Sequence, residues 1–294
     1  MPYIQEQYEI KEKCLIEDYL IKELDFSSSF ATSLLAKGKI LDQNNNRLRK
    51  KQVIKDGFIK VYIFKAISKG LKPLFDSFHF AIFDKPSGLK VHPSSISSEY
   101  TLLDEIQYHF GTQANLVHRI DAETSGLVLI SKNPYAEMML KQMFEDKKYK
   151  KKYYAWVEKE IKEECEITAK IQNASSFIKL KMQAGKQGKD STTLIQPLRY
   201  KNNATLVQAI PITGRQHQIR VHLDFLGHRI IGDPIYGIDE NACNDILNRE
   251  MSDEERLEIT GATRLLLHAV YLEFTFLKQN YKFYSKQDFL KQRD

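Results

Sequence analysis

His118, Arg119 and Asp121 crowd into LVHRIDAETSGLVLI, Leu116 to Ile130, and Thr124-Ser125-Gly126 follow at once. A solvated loop does not need Leu and Val on both sides, and a plain strand does not need this charge at its mouth. A carboxylate held among apolar residues can act as nucleophile or as base. An isolated Asp is more often a helix cap or half of an ion pair, so both readings stand at this point. A second dense stretch is PITGRQHQIRVHLDFLGHRIIGDPIYG, Pro211 to Gly237. It carries Arg215, His217, Arg220, His222, His228 and Arg229. The plain alternative is a surface helix with an Arg220–Asp224 pair at i, i+4. A third stretch, KKYKKKYY from Lys147 to Tyr154, alternates lysines with aromatics, which suits phosphates and bases together. A solvated basic face is the competing explanation.

The elements that must position these residues are legible in outline. GLVLIS reads as a short buried strand, and KYYAWVE, TLVQAI and LLLHAVYLEFTF read as further strands. NPYAEMMLKQMFEDK predicts a helix capped by Asn133 with Pro134 in its first turn, its apolar side formed by Tyr135, Met138, Met139 and Met143. A helix of about three turns is expected between Gly214 and Gly227, with Ile219, Leu223 and Leu226 on one face. Ahead of all this lies a small unit. Its Ser cluster at 27–29 caps a helix stopped by Gly38, a hairpin turns at Asn44-Asn45-Asn46, and Asp56-Gly57 precedes an alternating strand. AISKGLKPLFDS punctuates like a linker. Strands and helices without regular βαβ alternation predict an α+β fold.

Composition narrows the function classes. The chain of 294 residues can bury a full core. No apolar run approaches the roughly 20 residues of a membrane span, and the charged first residues lack a secretory signal's apolar stretch. Cys14, Cys165 and Cys243 are scattered, which predicts neither disulfides nor a metal site and fits a cytoplasmic location. The formal charge of +6 allows an anionic partner. Lys37, Lys39, Arg47, Arg49, Lys50, Lys51, Lys55 and Lys60 cluster in the N-terminal unit.

In these motifs the chain resembles the RluA family of RNA pseudouridine synthases. The carrying residues are Asp84-Lys85-Pro86-Ser87-Gly88 with Val91-His92; His118-Arg119-Ile120-Asp121 with Thr124-Ser125-Gly126; Lys151-Lys152-Tyr153-Tyr154-Ala155; Gly214 through His222; Gly232-Asp233-Pro234; and Leu266-Leu267-His268-Ala269. They run in the family's order from about Phe78 to Phe276, with Ile120 where Leu is usual. The N-terminal unit is similar to the αL RNA-binding module named after small-subunit ribosomal protein four. Ser29, Ala31, Leu34, Gly38, Asn45, Lys50 and Asp56-Gly57 carry that match, with Ser28-Ser29 in place of the usual Ser-Arg.

The resemblance implies an αL-type module over residues 1–72 and a catalytic domain over 73–294. The catalytic domain would be built on a long mixed, mainly antiparallel sheet with flanking helices and a central cleft. It implies isomerisation of uridine to pseudouridine without a cofactor or metal. Asp121 would be the catalytic carboxylate, and Arg220 its partner, favouring the charged form. Tyr153 would stack on the extruded base and assist loss of the carbon-five proton. Arg119 would help displace the base, and Leu267 would line the cleft. Lys85, Lys150, Lys151 and Arg215 are expected phosphate contacts, with Lys37, Arg47, Arg49, Lys50 and Lys51 as the module's RNA-binding residues. His118 and His268 are expected to be structural. The expected partner is ribosomal RNA, with transfer RNA second, and no obligate protein partner or membrane. A catalytically silent RNA-binding factor is the rival. A glycosidase is another, but it needs a second carboxylate, for which Glu123 is the nearest candidate.

Overall fold

The computed structural model describes residues 3–93 and 99–290. The chain forms two compact units. One comprises Met1–Leu71 with His92–His109; the other comprises Lys72–Val91 with Phe110–Asp294.

In the first unit, the strands Tyr3–Ile10 and Ile40–Asp42 flank Gly57–Phe64 in an antiparallel sheet. Alternation along the central strand buries Ile59 and Val61 completely, beside Ile16, Leu20, Ala31 and Ile40. The expected helix is Ser28–Ala36; the Ser27 hydroxyl accepts the Phe30 N–H at its start, and Gly38 follows with φ +61°. The Asn turn is closed by Asp42, whose Oδ1 accepts the N–H groups of Asn44 and Asn46. One boundary differs from expectation, because residues 92–109 pack with this unit rather than with the rest of the expected catalytic stretch. Glu105 supplies the physical reason. Its buried carboxylate accepts the Lys69 and Leu71 N–H groups and the Ser68 hydroxyl. The helix Leu102–Phe110 is thereby tied to the segment that reads as a linker.

The second unit is a mixed ten-stranded sheet, as the α+β expectation requires. Its main path runs Cys165–Thr168, Thr192–Lys201, Ala204–Pro211, Tyr149–Glu158, Leu267–Phe276, Ser125–Ser131, Phe80–Lys85, Phe75–Asp76. Pairing is antiparallel except between Leu267–Phe276 and Ser125–Ser131, which run parallel where His268 faces Ser125 and Ala269 faces Gly126. Only glycine suits position 126. Its φ is +109°, and a Cβ there would lie 2.3 Å from the Ala269 carbonyl oxygen. The strand Ser125–Ser131 is buried throughout. Trp156, Val157, Ile195 and Leu223 fill one core, and Phe80, Leu129, Leu140 and Phe274 fill another.

The helix Pro134–Glu145 has the expected Asn133 cap, which accepts the Ala136 N–H. Of the expected inward face only Met143 is buried. Ala136, Leu140 and Met143 are buried, whereas Tyr135, Met138 and Met139 are exposed. The stripe that packs is the i, i+4, i+7 series, and the outward methionines had drawn the assignment by hydrophobicity alone.

Candidate active site

A cleft of about 130 Å³ opens beside the Tyr149 strand. Arg119, Asp121, Lys151, Tyr153, Arg215, Arg220 and Leu267 all line it, so seven expected site residues converge there. Thr124, Tyr149, His217 and Gln218 line it too.

Asp121 sits in the loop leading into the Ser125 strand, and nearly every neighbour in that loop is fixed. The Lys85 ammonium donates to the carbonyls of Ala122, Leu89 and Pro86 at 2.8, 2.8 and 2.9 Å. Ser87 donates to the Glu123 carbonyl at 2.5 Å, and Arg256 pairs with the Glu123 carboxylate at 2.7 Å. The Thr124 N–H closes a turn on the Asp121 carbonyl at 3.2 Å. Ser125 meets His268 at 2.9 Å, and the His268 ring stacks on Phe289 at 5.2 Å.

Lys85 therefore corrects an expectation. It has no solvent exposure, so it is not a phosphate contact. Burial pulls it down to about 7. Three accepting carbonyls nevertheless need three N–H donors, which only the ammonium has. Its place at the end of an apolar strand gives the reason: the chain turns at Pro86 and folds its own carbonyls over the side chain.

Arg220 lies on the helix Gln218–Phe225, which is shorter than expected and preceded by a turn through Arg215 and His217. His217 caps it in the left-handed region, φ 54°. Gln218 braces that turn, accepting the Thr213 hydroxyl and Arg215 N–H and donating to the Thr192 carbonyl. The Arg220 guanidinium does not pair with Asp224. Its Nε and Nη2 grip Asp233 at 2.8 and 2.7 Å, and its Nη1 reaches Asp121 Oδ2 at 3.3 Å. Asp233 also accepts the N–H groups of Ile235 and Tyr236. Burial alone would lower the pKa of Arg220, but the charge and hydrogen bonds of Asp233, with Asp121 behind them, hold it above its ordinary value. Burial works against the Asp233 carboxylate too, and Arg220 outweighs it, holding Asp233 below the usual carboxylate range. The guanidinium is thus permanently charged and fixed by a bidentate anchor. One Nη1–H is thereby aimed at Asp121, whose side chain is 29% exposed.

Two further groups bear on Asp121. His217 Nε2 lies 3.8 Å from Asp121 Oδ2, and its Nδ1 lies 2.9 Å from the Tyr236 hydroxyl. That hydroxyl also accepts the Met182 N–H. Burial and Arg220 push His217 down to about 4, so it is neutral at pH 7. Tyr153, 8% exposed, is pushed up by burial and by the Asp121 charge, and keeps its phenolic proton. Sequence reasoning assigned no role to Asp233, His217 or Tyr236. Asp233 stood in a quoted motif, and only its distance from Arg220 in space was hidden.

Lys150 lies outside the cleft, exposed, 3.5 Å from Glu273. Lys37, Arg47, Arg49, Lys50 and Lys51 are exposed on the first unit. Arg215 is exposed at the cleft wall, its Nε on the Asp190 carbonyl at 3.1 Å. Among the described residues no three His, Cys, Asp or Glu side chains are grouped to hold a metal, and no helix is long and apolar enough to cross a membrane.

Comparison with known proteins defines the class. Residues 79–225 match the family model of RNA pseudouridylate synthases. An uncharacterized RNA pseudouridine synthase of Helicobacter pylori strain J99 is 38% identical over 96% of this chain and 95% of its own. The ribosomal large subunit pseudouridine synthase D of Nitrosomonas europaea is 34% identical over 70% of this chain and 58% of its own. Among solved structures, human RNA pseudouridylate synthase domain containing 1 shares the fold, with a TM-score of 0.60 and 23% identity over 74% of this chain and 84% of that one. The chain belongs to the RNA pseudouridine synthase family, on its RluA side, and is an enzyme of that kind.

Proposed function

We propose that this enzyme isomerises specific uridines in ribosomal RNA, with transfer RNA the second substrate class, and that Asp121 is its catalytic carboxylate. The observation that carries the reading is the Asp233–Arg220–Asp121 chain. A buried bidentate anchor aims one N–H at a carboxylate that is itself open to the cleft.

The reaction breaks the bond between uracil N1 and ribose C1′, rotates the base, and joins carbon five to C1′. Carbon five loses a proton and N1 gains one, so nothing is consumed. Asp121 can serve this at the sugar, either adding to C1′ or removing a ribose proton. Arg220 Nη1 orients the carboxylate, and the neutral His217 ring lies beside it. Tyr153 offers a flat apolar face on which the uracil can stack. A uridine inside structured RNA must leave its stack to reach this cleft, which costs a few kcal/mol. Arg119, exposed at the cleft mouth, is suited to fill the gap left behind.

The first unit supplies RNA affinity in this reading, as an αL-like module whose Lys37, Arg47, Arg49, Lys50 and Lys51 meet phosphates. Arg215 and Lys150 act similarly on the catalytic unit. A cytoplasmic location goes with such a substrate. The test is a transcriptome-wide pseudouridine map of cells with the wild-type gene, with Asp121→Asn, and without the gene. The expected result is one or a few ribosomal sites lost equally in the last two. An unchanged map in both would refute the reading.

A further inference from the structure

Asp224 is the acid that helical spacing offers to Arg220 and that Arg220 leaves alone. Its carboxylate makes no hydrogen bond or ion pair among the described residues. It lines a second cavity, of about 270 Å³, beside the helix Gln218–Phe225 and the strand Met182–Gly185. Val221, Asp224 and Phe225 face this cavity together, at the i, i+3, i+4 spacing of one helical side. Asp224 is one turn past Arg220, roughly 6 Å of helical rise. Tyr236 stands between the cavity and the catalytic cleft. It lines the cavity, and its hydroxyl lies 2.9 Å from Nδ1 of His217, which lines the cleft.

Size, shape and charge select an occupant. A cavity of roughly 150 Å³ holds one benzene ring, so about 270 Å³ admits a two-ring purine. Met182, Val221 and Tyr236 supply apolar walls, and Phe225 beside them is 61% exposed, an aromatic face of the kind on which bases stack. The other carboxylate of the cavity, Glu240, is taken by Lys181 at 2.9 Å, so Asp224 is the acceptor left over. Burial, and then the charge of Asp233, hold its pKa above the ordinary value, because its charged form lacks donors. A carboxylate only accepts hydrogen bonds. On an unpaired guanine, N1–H and an N2–H point the same way, one to each oxygen. Adenine and cytosine set one amino donor beside a ring nitrogen's lone pair, and uracil sets one N–H between two carbonyls. Each of these turns a lone pair toward the carboxylate. The hairpin beside the cavity carries the charge that suits a nucleic acid. Lys170 pairs with Asp190, the one acid between residues 170 and 190, while Lys179, Lys186 and Lys189 are exposed.

We propose that this cavity receives an unpaired guanine of the substrate RNA, a few nucleotides from the target uridine, with its N1–H and N2–H on Asp224 and one face on Phe225. The inference rests on the pseudouridine-forming reading above, and it gives the enzyme a side chain that reads a base.

The test reads binding first. Full-length wild type, Asp224→Asn and Phe225→Ala are titrated into short fluorescein-labelled single-stranded RNAs, followed by anisotropy. Each RNA has one uridine among adenines and carries guanine, inosine or adenine at one other position. Inosine keeps N1–H and lacks the N2 amino group. At one position guanine should tighten wild-type binding roughly tenfold over adenine, and inosine should lose most of that gain. Asp224→Asn should reverse the order, because a carboxamide matches adenine with one donor and one acceptor; a variant that had merely unfolded would gain no preference. Phe225→Ala should weaken all three bases at that position. Equal wild-type affinity for the three bases at every position, or a guanine preference that survives Asp224→Asn, would overturn the proposal. Guanosine monophosphate is titrated separately; affinity equal to that of the guanine-bearing RNA would assign the cavity to a free nucleotide and overturn the RNA assignment. In ribosomal RNA transcripts that wild type modifies, exchanging the nearby guanine for adenine should slow modification roughly tenfold, and much less in Asp224→Asn; no slowing would also overturn the proposal. Absence of pseudouridine from every transcript would instead refute the pseudouridine reading, while the binding arm would still decide the role of Asp224.

Discussion

Asp233→Asn separates anchoring from chemistry. Asp233 touches neither the cleft nor solvent, with a side-chain exposure of 0%, and the side chain of its partner Arg220 is 2% exposed. The substitution keeps size and one acceptor oxygen but removes the charge and turns an NH₂ toward the guanidinium. Removing one partner of a buried pair costs about 3–5 kcal/mol, because the other charge stays buried. At ~2–4 °C per kcal/mol for chains of roughly this size, the melting temperature should fall by about 6–20 °C. Acid stability changes as well. Asp233 has its pKa depressed on folding, so its contribution is present above the unfolded value of about 3.9 and is lost as pH falls through the folded value. That acid-sensitive component should disappear in the variant. Activity should fall about a hundred-fold even below the melting temperature, since Arg220 no longer holds Asp121 in place. Asp121→Asn is the control, because it removes only a 3.3 Å contact to a partly exposed carboxylate, a pair worth about 0–1 kcal/mol. Differential scanning calorimetry between pH 3 and 7, beside single-turnover rates, reads all three effects. An Asp233→Asn protein that melts within a degree or two of Asp121→Asn would refute the anchoring account.

Asp121→Asn should abolish pseudouridine formation while RNA affinity, read by filter binding, stays near wild type; clear turnover above contamination controls would exclude Asp121 as the carboxylate. Tyr153→Phe should retain most of the single-turnover rate, since a phenol that keeps its proton acts through its ring, and a loss beyond roughly tenfold would restore a role for the hydroxyl. Gly126→Ala should destabilise by several kcal/mol, because a Cβ there meets the Ala269 backbone and the φ is left-handed; a thermal melt equal to wild type would contradict that packing. Replacing Arg47, Arg49, Lys50 and Lys51 by Ala should weaken RNA binding and flatten its log–log salt dependence by about one unit per lost contact. An unchanged slope would remove the first unit from the binding account.

The parts of the fold written in short-range chemistry were legible. The Asn133-Pro134 helix start, the Ser27 cap and the alternation around Ile59 and Val61 each follow from a few adjacent residues. The parts decided by space were not. Arg220 has Asp224 four residues away, yet it chooses Asp233 and Asp121, and no periodicity reports a partner 99 positions distant. Lys85 reads as a surface cation because the turn that folds the Pro86 and Leu89 carbonyls over it, and the Ala122 carbonyl 37 residues on, leave no mark in its periodicity. Residues 92–109 changed units through one carboxylate, Glu105, that nothing in its neighbours marks as buried. Seven residues named from the family pattern line one cleft, because such a pattern encodes a meeting in space; the Asp233 anchor behind Arg220 needed the coordinates.

The loop around Asp121 is tied down from four directions, by Lys85, Ser87, Arg256 and His268. Its conformational entropy is surrendered when the chain folds rather than when RNA arrives. In the proposed reading, a carboxylate mounted this way does not search for its target, and the uridine must be brought to it. Two uridines with identical contacts at the rim would then be modified at rates that differ by the ease of swinging each one out. A uridine in a bulge or loop would outrun one in a continuous helix by tenfold for each ~1.4 kcal/mol saved in unstacking. Selectivity of that sort belongs to the mechanics of the RNA and requires no side chain that reads a sequence.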